Sequence, residues 1–137
     1  MKCKQVTYKT ETFNIFKPNS EKYLTILNGW YQERGWHPIP ASTTGVMVFG
    51  ENPICAGWLY STDSAACLVG NIISSTDKVK NKKEAIKKLL AKLELEAKNR
   101  GFKTILFFMT VESISKIAQE EGYIKTGKVN ELVKNIT

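Results

Sequence analysis

Apolar and polar positions fall into short alternating runs in the first half of the chain and recur at helical spacing in the second. "QVTYKTETF" alternates weakly and predicts a short strand near Val6 to Phe13. In "PNSEKYLTILNGWYQERG", Leu24, Leu27 and Tyr31 recur at helical spacing. Asn19 or Ser20 can cap this helix and Gly35 can end it. "WHPIPASTT", with two prolines, reads as a loop. Three strands follow: "GVMVFG", "ICAGWLY" and "AACLVGNIISS", the last spanning roughly Ala65 to Ser75. The turns between them, "ENP" and "STDS", are short enough to make antiparallel hairpins.

The clearest element begins after Lys80. Ile86, Leu89, Leu90, Leu93 and Ala97 form one apolar stripe, lysines cover the rest, and Gly101 is a left-handed stop. "TILFFM" is wholly apolar and predicts a central strand buried on both faces. Strand 65–75, the helix and strand 105–109 form a βαβ unit with a right-handed crossover. "ESISKIAQEEG" predicts a short helix, and "YIKTGKVNELV" two last strands around Gly127. The fold class is therefore α/β with a mixed sheet, in the order β-α-β-β-β-α-β-α-β-β.

Composition adds bounds. A chain of 137 residues suits one domain over 1–137. With 42% apolar and 24% charged residues it is not of the disordered class. No run approaches the ~20 apolar residues of a membrane span, and the first residues lack the apolar stretch of a signal peptide. The expected location is the cytoplasm, which suits free thiols at Cys55 and Cys67 within apolar runs. One histidine, His37, supports neither a zinc site nor a Ser/His/Asp triad, so no metal is expected. Trp30, Trp36 and Trp58 read as core or groove wall.

Charge changes the picture at one place. The net charge of +7 favours anionic partners, which include nucleic acid, a membrane surface or a phosphorylated small molecule. "TDKVKNKKEAIKKLL" puts Lys78, Lys80, Lys82 and Lys83 at a helix start. That end carries partial positive charge and unpaired N–H groups, so lysines are the wrong sign for it. Either the run is a solvated face, or the helix end meets an anion.

The hairpin Cys55-Ala56-Gly57-Trp58-Leu59-Tyr60-Ser61-Thr62-Asp63-Ser64, the helix start "NKKEAIKKLL", the length and the element order resemble the GNAT N-acetyltransferase fold. The likeness covers roughly Gly45 to Leu132 and is nearest to the small GNAT-like proteins of bacteriophages. The resemblance implies acetyl-CoA as cosubstrate and a primary amine as acceptor. It implies that a central parallel strand pair splays to admit the pantetheine arm. The carbonyl-polarising backbone N–H would lie near Ile72, Ile73 and Ser74. The diphosphate would lie over Lys80, Asn81, Lys82, Lys83, Glu84 and Ala85. A possible homodimer is also implied.

The family's loop has a central glycine where this chain has Lys83, although Lys80 and Ala85 suit the flanking positions. Gly70 and Asn71 stand near the family's carboxylate base, and Ala118 stands for its tyrosine acid. Tyr123 reads as core packing. Tyr60, Asp63 and Glu33 are candidates for an acceptor groove. Asp63 is equally explained by turn chemistry and Tyr60 by a half-buried strand position. The expected reaction is direct attack of the amine on the thioester, with solvent relaying the proton. The alternatives are a catalytically degenerate GNAT-fold binding protein with a phage structural or host-interaction role and, ranked last, a nucleic-acid-binding protein.

Overall fold

The computed structural model describes residues 7–36, 42–75, 82–109, 111–127, 132, 134 and 136. Strand β1 (Lys9–Asn14) leads through a 3-10 turn (Pro18–Ser20) into helix α1 (Glu21–Glu33). Strands β2 (Thr44–Phe49), β3 (Pro53–Tyr60) and β4 (Ala66–Ser74) follow, then helix α2 (Lys82–Asn99), strand β5 (Thr104–Phe107) and helix α3 (Glu112–Glu120). The sheet runs β1-β2-β3-β4-β5. Its first three pairings are antiparallel, and β4–β5 is parallel, as the expected βαβ unit requires.

Alternation along the strands sends side chains into two cores. Val46, Val48, Cys55, Leu59, Cys67, Val69 and Ile72 pack against the α2 stripe and against Ile117 and Ala118 of α3. Met47, Ala56, Trp58 and Ile73 pack with Phe13 and with Tyr23, Leu27, Trp30 and Tyr31 of α1. The sheet is thus covered on both faces, which explains why β2 and β3 are almost continuously apolar. Burial pushes the Cys55 thiol up to about 12, only partly countered by the Lys82 charge.

All three helices end alike. Gly35, Gly101 and Gly122 have φ of 64°, 87° and 99°. The residue after each glycine donates its N–H back to the helix: Trp36 to Tyr31 O, Phe102 to Ala97 O and Tyr123 to Ala118 O, at 2.9, 3.1 and 3.1 Å. These are Schellman closures, and only glycine takes that left-handed turn without strain.

The structure corrects several expectations. Ser20 does not cap α1 with its side chain. It continues from the 3-10 turn in helical conformation, and its hydroxyl donates to Ile15 O at 3.3 Å. β5 is the last of the described strands, and it is not buried on both faces: Ile105 and Phe107 face the α2/α3 core, whereas Leu106 is 44% and Phe108 55% exposed. Tyr123–Gly127 form no strand; Val6, His37, Lys80, Asn81 and most of the expected final hairpin lie outside the described residues.

Gly45 offers a test of the α1-side core. A Cβ there would lie 2.4 Å from Phe13 Cζ, and the Phe13 ring is held by stacking on Tyr23 (4.5 Å) and by the edge of Trp58 (5.3 Å). Gly45→Ala is expected to destabilise by about 1–3 kcal/mol through overpacking. Gly70→Ala, where an added Cβ meets nothing within 4 Å, should change stability little. Urea denaturation of the two variants measures the difference.

Candidate functional site

The site begins with a fault in β4. Ala56 pairs with Ile73 and Trp58 with Gly70, so Gly57 alone faces both Asn71 and Ile72. This is a β-bulge, and Asn71 carries it with a φ of 53°. Asparagine tolerates this region better than most residues. Gly57 makes the bulge possible from the other side: a Cβ on it would lie 2.5 Å from Ile72 Cδ1. The bulged strand bends, and the β4–β5 ladder covers only Ala66–Val69 against Thr104–Phe107. From Gly70 to Ser74, β4 continues without a strand partner on that side among the described residues.

A cavity of about 400 Å³ fills the opening. Ile72, Ile73 and Ser74 of β4 form one wall. Val111, Ser113, Ile114 and Ile117, at and within α3, form the other. Lys82, Lys83 and Ile86 close it at the start of α2, and Arg34 and Trp36 close it at the end of α1. The lining is mostly apolar and carries three cations, Arg34, Lys82 and Lys83, with no carboxylate among the described lining residues.

Both described lysines at the α2 start are partnered. Lys82 Nζ donates to Ser75 O at 2.6 Å. Lys83 Nζ lies 3.0 Å from a Glu120 carboxylate oxygen, and Lys87 reaches the same carboxylate at 3.5 Å. The hydrogen bond from Lys83 is the leading reason that Glu120 is held below the usual carboxylate range. This exposed clasp of α2 to α3 is present at neutral pH and weakens as pH falls through the lowered Glu120 value. Next to the Lys82 bond the Ser75 hydroxyl is buried with no hydrogen-bond partner among the described residues.

Arg34 arrives from the other direction. Its Nη1 donates to Trp30 O at 3.3 Å and its Nη2 to Ser74 O at 2.5 Å, tying the end of α1 to the end of β4. The Schellman closure at Gly35 brings Trp36 back, and the guanidinium lies 5.3 Å from its ring centroid. Trp36 was read from the sequence as core or groove wall, and it lies in the wall; Arg34 was not a site candidate. The "RGW" triplet is a helix stop in the sequence, and only the fold places it forty residues away, beside Ser74.

The remaining candidates divide. Ile72, Ile73, Ser74, Lys82 and Lys83 meet at the cavity. Ala85 is buried in the core beneath the α2 start, and Glu84 is exposed, 3.9 Å from Lys87. Asp63 sits on the exposed β3–β4 turn, and Glu33 is exposed; neither lines the cavity. Tyr60 is not in the lining either, but its hydroxyl accepts a hydrogen bond from Asn71 Nδ2 at the bulge. Burial raises Tyr60 above the ordinary tyrosine value, outweighing the Asn71 bond that lowers it. Tyr123 packs on Phe107 at 5.6 Å, and burial pushes it up to about 12, in keeping with a core role. Among the described residues no group of three His, Cys, Asp or Glu could hold a metal, and no helix is long and apolar enough to cross a membrane.

No family model matches the chain, and no curated protein matches it in sequence. Solved structures do match in fold. An aminoglycoside acetyltransferase from an uncultured soil metagenomic sample, in complex with sisomicin, superposes with a TM-score of 0.69 at 10% identity, over 95% of this chain and 97% of that one. An aminoglycoside N-acetyltransferase in complex with CoA gives 0.69 at 16% identity, over 99% and 100%. Glucosamine-6-phosphate N-acetyltransferase from Arabidopsis thaliana gives 0.60 at 10% identity, over 93% and 99%. At such identities the likeness establishes the fold: the mixed sheet and three helices of this chain are those of GNAT-type N-acetyltransferases.

Proposed function

We propose that the protein transfers an acetyl group from acetyl-CoA to a primary amine. The observation that carries this reading is the opening of β4 away from β5, with a cavity of about 400 Å³ leading to the start of α2. The residues present fit the cosubstrate. Gly70–Ser74 offer backbone N–H and C=O groups that could pair with the amides of a pantetheine arm as a strand would. Ile72, Ile86 and Ile114 offer an apolar bed. The first N–H groups of α2, with Lys82 and Lys83, suit a diphosphate, as do Lys80 and Asn81 by sequence. The orphaned Ser75 hydroxyl is a further donor at that end.

Acetyl-CoA, when bound, supplies the thioester: its C–S bond breaks as the amine forms a C–N bond, and the proton released by nitrogen balances the one taken up by sulfur. The chain's own groups act around that exchange. A backbone N–H past the bulge, at Ile72 to Ser74, polarises the carbonyl. Tyr60, like any tyrosine, is protonated at neutral pH, and burial raises it further, so its hydroxyl is available as a donor. Held on Asn71, beside the first cavity residue, it is assigned to protonate the departing sulfur. Deprotonation of the amine is left to solvent.

A second reading is a GNAT-fold protein that binds CoA without turnover, in a structural or host-interaction role. Ala118 favours it, since it is buried in the core at the position that carries the acid in the resembling family.

Calorimetric titration with acetyl-CoA tests the cosubstrate; absence of binding at low salt would sink both readings. Lys82→Glu should weaken binding by on the order of tenfold, through charge reversal beside the phosphates. The melting temperature should fall modestly, since the bond from Lys82 to Ser75 O is lost and an acid in the first helical turn offsets only part of it. Tyr60→Phe should lower kcat by about 100-fold, the low end of the usual range for a positioned proton donor, and leave CoA affinity intact. An unchanged kcat would remove Tyr60 from the mechanism.

A further inference from the structure

We infer that Asn71 is a positioning residue for Tyr60: its amide donates to the phenol oxygen, so that the phenol proton is turned away from Asn71 and a developing phenolate is stabilised. The inference rests on the acetyl-transfer reading above, and on the part that reading gives to Tyr60, and deepens it.

Ordinary alternation along β4 would keep the two side chains apart. Tyr60 is half-buried and packs on the α1 side of the sheet, whereas Val69 is buried on the α2 side. In an unbroken strand residue 71 would share the face of Val69, across the sheet from Tyr60. The bulge breaks that pattern. Ile72 packs on the α2 side like Val69, and Ile73 on the α1 side; strict alternation would reverse both. Asn71 is the extra residue, and with its φ of 53° its Nδ2 donates to the Tyr60 hydroxyl. One backbone conformation thus opens the cleft and makes this bond.

The direction of the bond decides its effect. An amide N–H on the phenol oxygen favours the phenolate and leaves the O–H to point elsewhere. The reverse bond, from O–H to the amide oxygen, would hold the proton. Burial raises Tyr60, the Asn71 bond lowers it, and the neighbouring Tyr31 phenol of α1 raises it. Asparagine meets both demands of the position. Glycine and aspartate also accept a left-handed φ, but glycine has no side-chain donor and an aspartate carboxylate can only accept.

The test separates the bond from the bulge. Asn71→Gly keeps the left-handed turn and removes the donor. Asn71→Asp keeps the turn and the side-chain size but offers only acceptors. Tyr60 is titrated in the full-length protein without cosubstrate, by carbon NMR of ring-labelled tyrosine, its signal assigned from Tyr60→Phe. It should titrate higher than in wild type by about one unit in Asn71→Gly, the scale of one hydrogen bond, and higher still in Asn71→Asp. With acetyl-CoA and tyramine, ethanolamine or spermidine as acceptor, Asn71→Gly should lower kcat by about tenfold and leave CoA affinity close to wild type. In a Tyr60→Phe background it should lower kcat no further. A Tyr60 value unchanged or lowered in Asn71→Gly overturns the inference, because the amide is then not the donor. So do kcat losses that add in the double variant, or a parallel loss of CoA affinity, since Asn71 would then act through the bulge alone. A kcat indifferent to Tyr60→Phe overturns it as well. Failure to bind acetyl-CoA would sink the transfer reading; with or without turnover, the sign of the titration shift decides whether Asn71 is the donor to Tyr60.

Discussion

The bulge at Asn71 is the constraint on which the rest depends. One extra residue on β4, accepted because Gly57 has no side chain opposite it, bends the strand out of the parallel ladder after Val69. Had the ladder continued, β4 and β5 would have closed over each other and the backbone groups of Gly70–Ser74 would have been satisfied within the sheet. Because it stops, the chain keeps both a cavity and a row of hydrogen-bonding groups along its wall. The left-handed φ at Asn71 is tolerable for asparagine, and the side chain is held by its bond to Tyr60. The same residue that opens the cleft therefore also fixes a hydroxyl near the opening.

The helices then bring chemistry to the cleft from three directions. Each is stopped by a glycine whose left-handed turn returns the chain to the helix end. At α1 this return delivers Trp36 to the cleft, at α2 it delivers Phe102 to the core, and at α3 it delivers Tyr123 against Phe107. Long-range polar bonds tie the parts together. Arg34 links α1 to the tip of β4, and Arg100 donates to the Thr44 hydroxyl at 2.5 Å, linking the end of α2 to the start of β2. The Lys83–Glu120 pair joins α2 to α3 across the cleft mouth, but it is exposed and screened, so apolar packing carries most of the stability.

Much of this was legible in the sequence, because it follows from periodicity. The α2 stripe, the two hairpins and the glycine stops at Gly35 and Gly101 each have a local signal, and each stands where that signal placed it. The two-sided burial expected of β5 was misread for a physical reason. "TILFFM" is apolar on both faces, but burial depends on what packs against each face, which apolar character alone does not fix. Ser20 misled in a related way: a good capping residue is followed by a helix here, yet the preceding prolyl turn had already begun the winding. Ile72 to Ser74, Lys82 and Lys83, which the resemblance pointed to, line the cavity, and so does Trp36, read as core or groove wall. Arg34 had no such signal, since its meeting with Ser74 is a contact across forty residues with no local signature. Asp63 and Glu33 drew notice as acids, but the fold leaves both away from the cavity.

Cys55 has a consequence of its own. It sits on β3 directly opposite Ser74, one strand in from the cavity wall. A thiolate there would be the strongest nucleophile in the neighbourhood and would undergo thioester exchange with any acyl carrier laid along β4. Complete burial and a value near 12 keep the sulfur protonated and out of reach. Under the proposed acetyl transfer, this burial keeps the chain from acylating itself at Cys55.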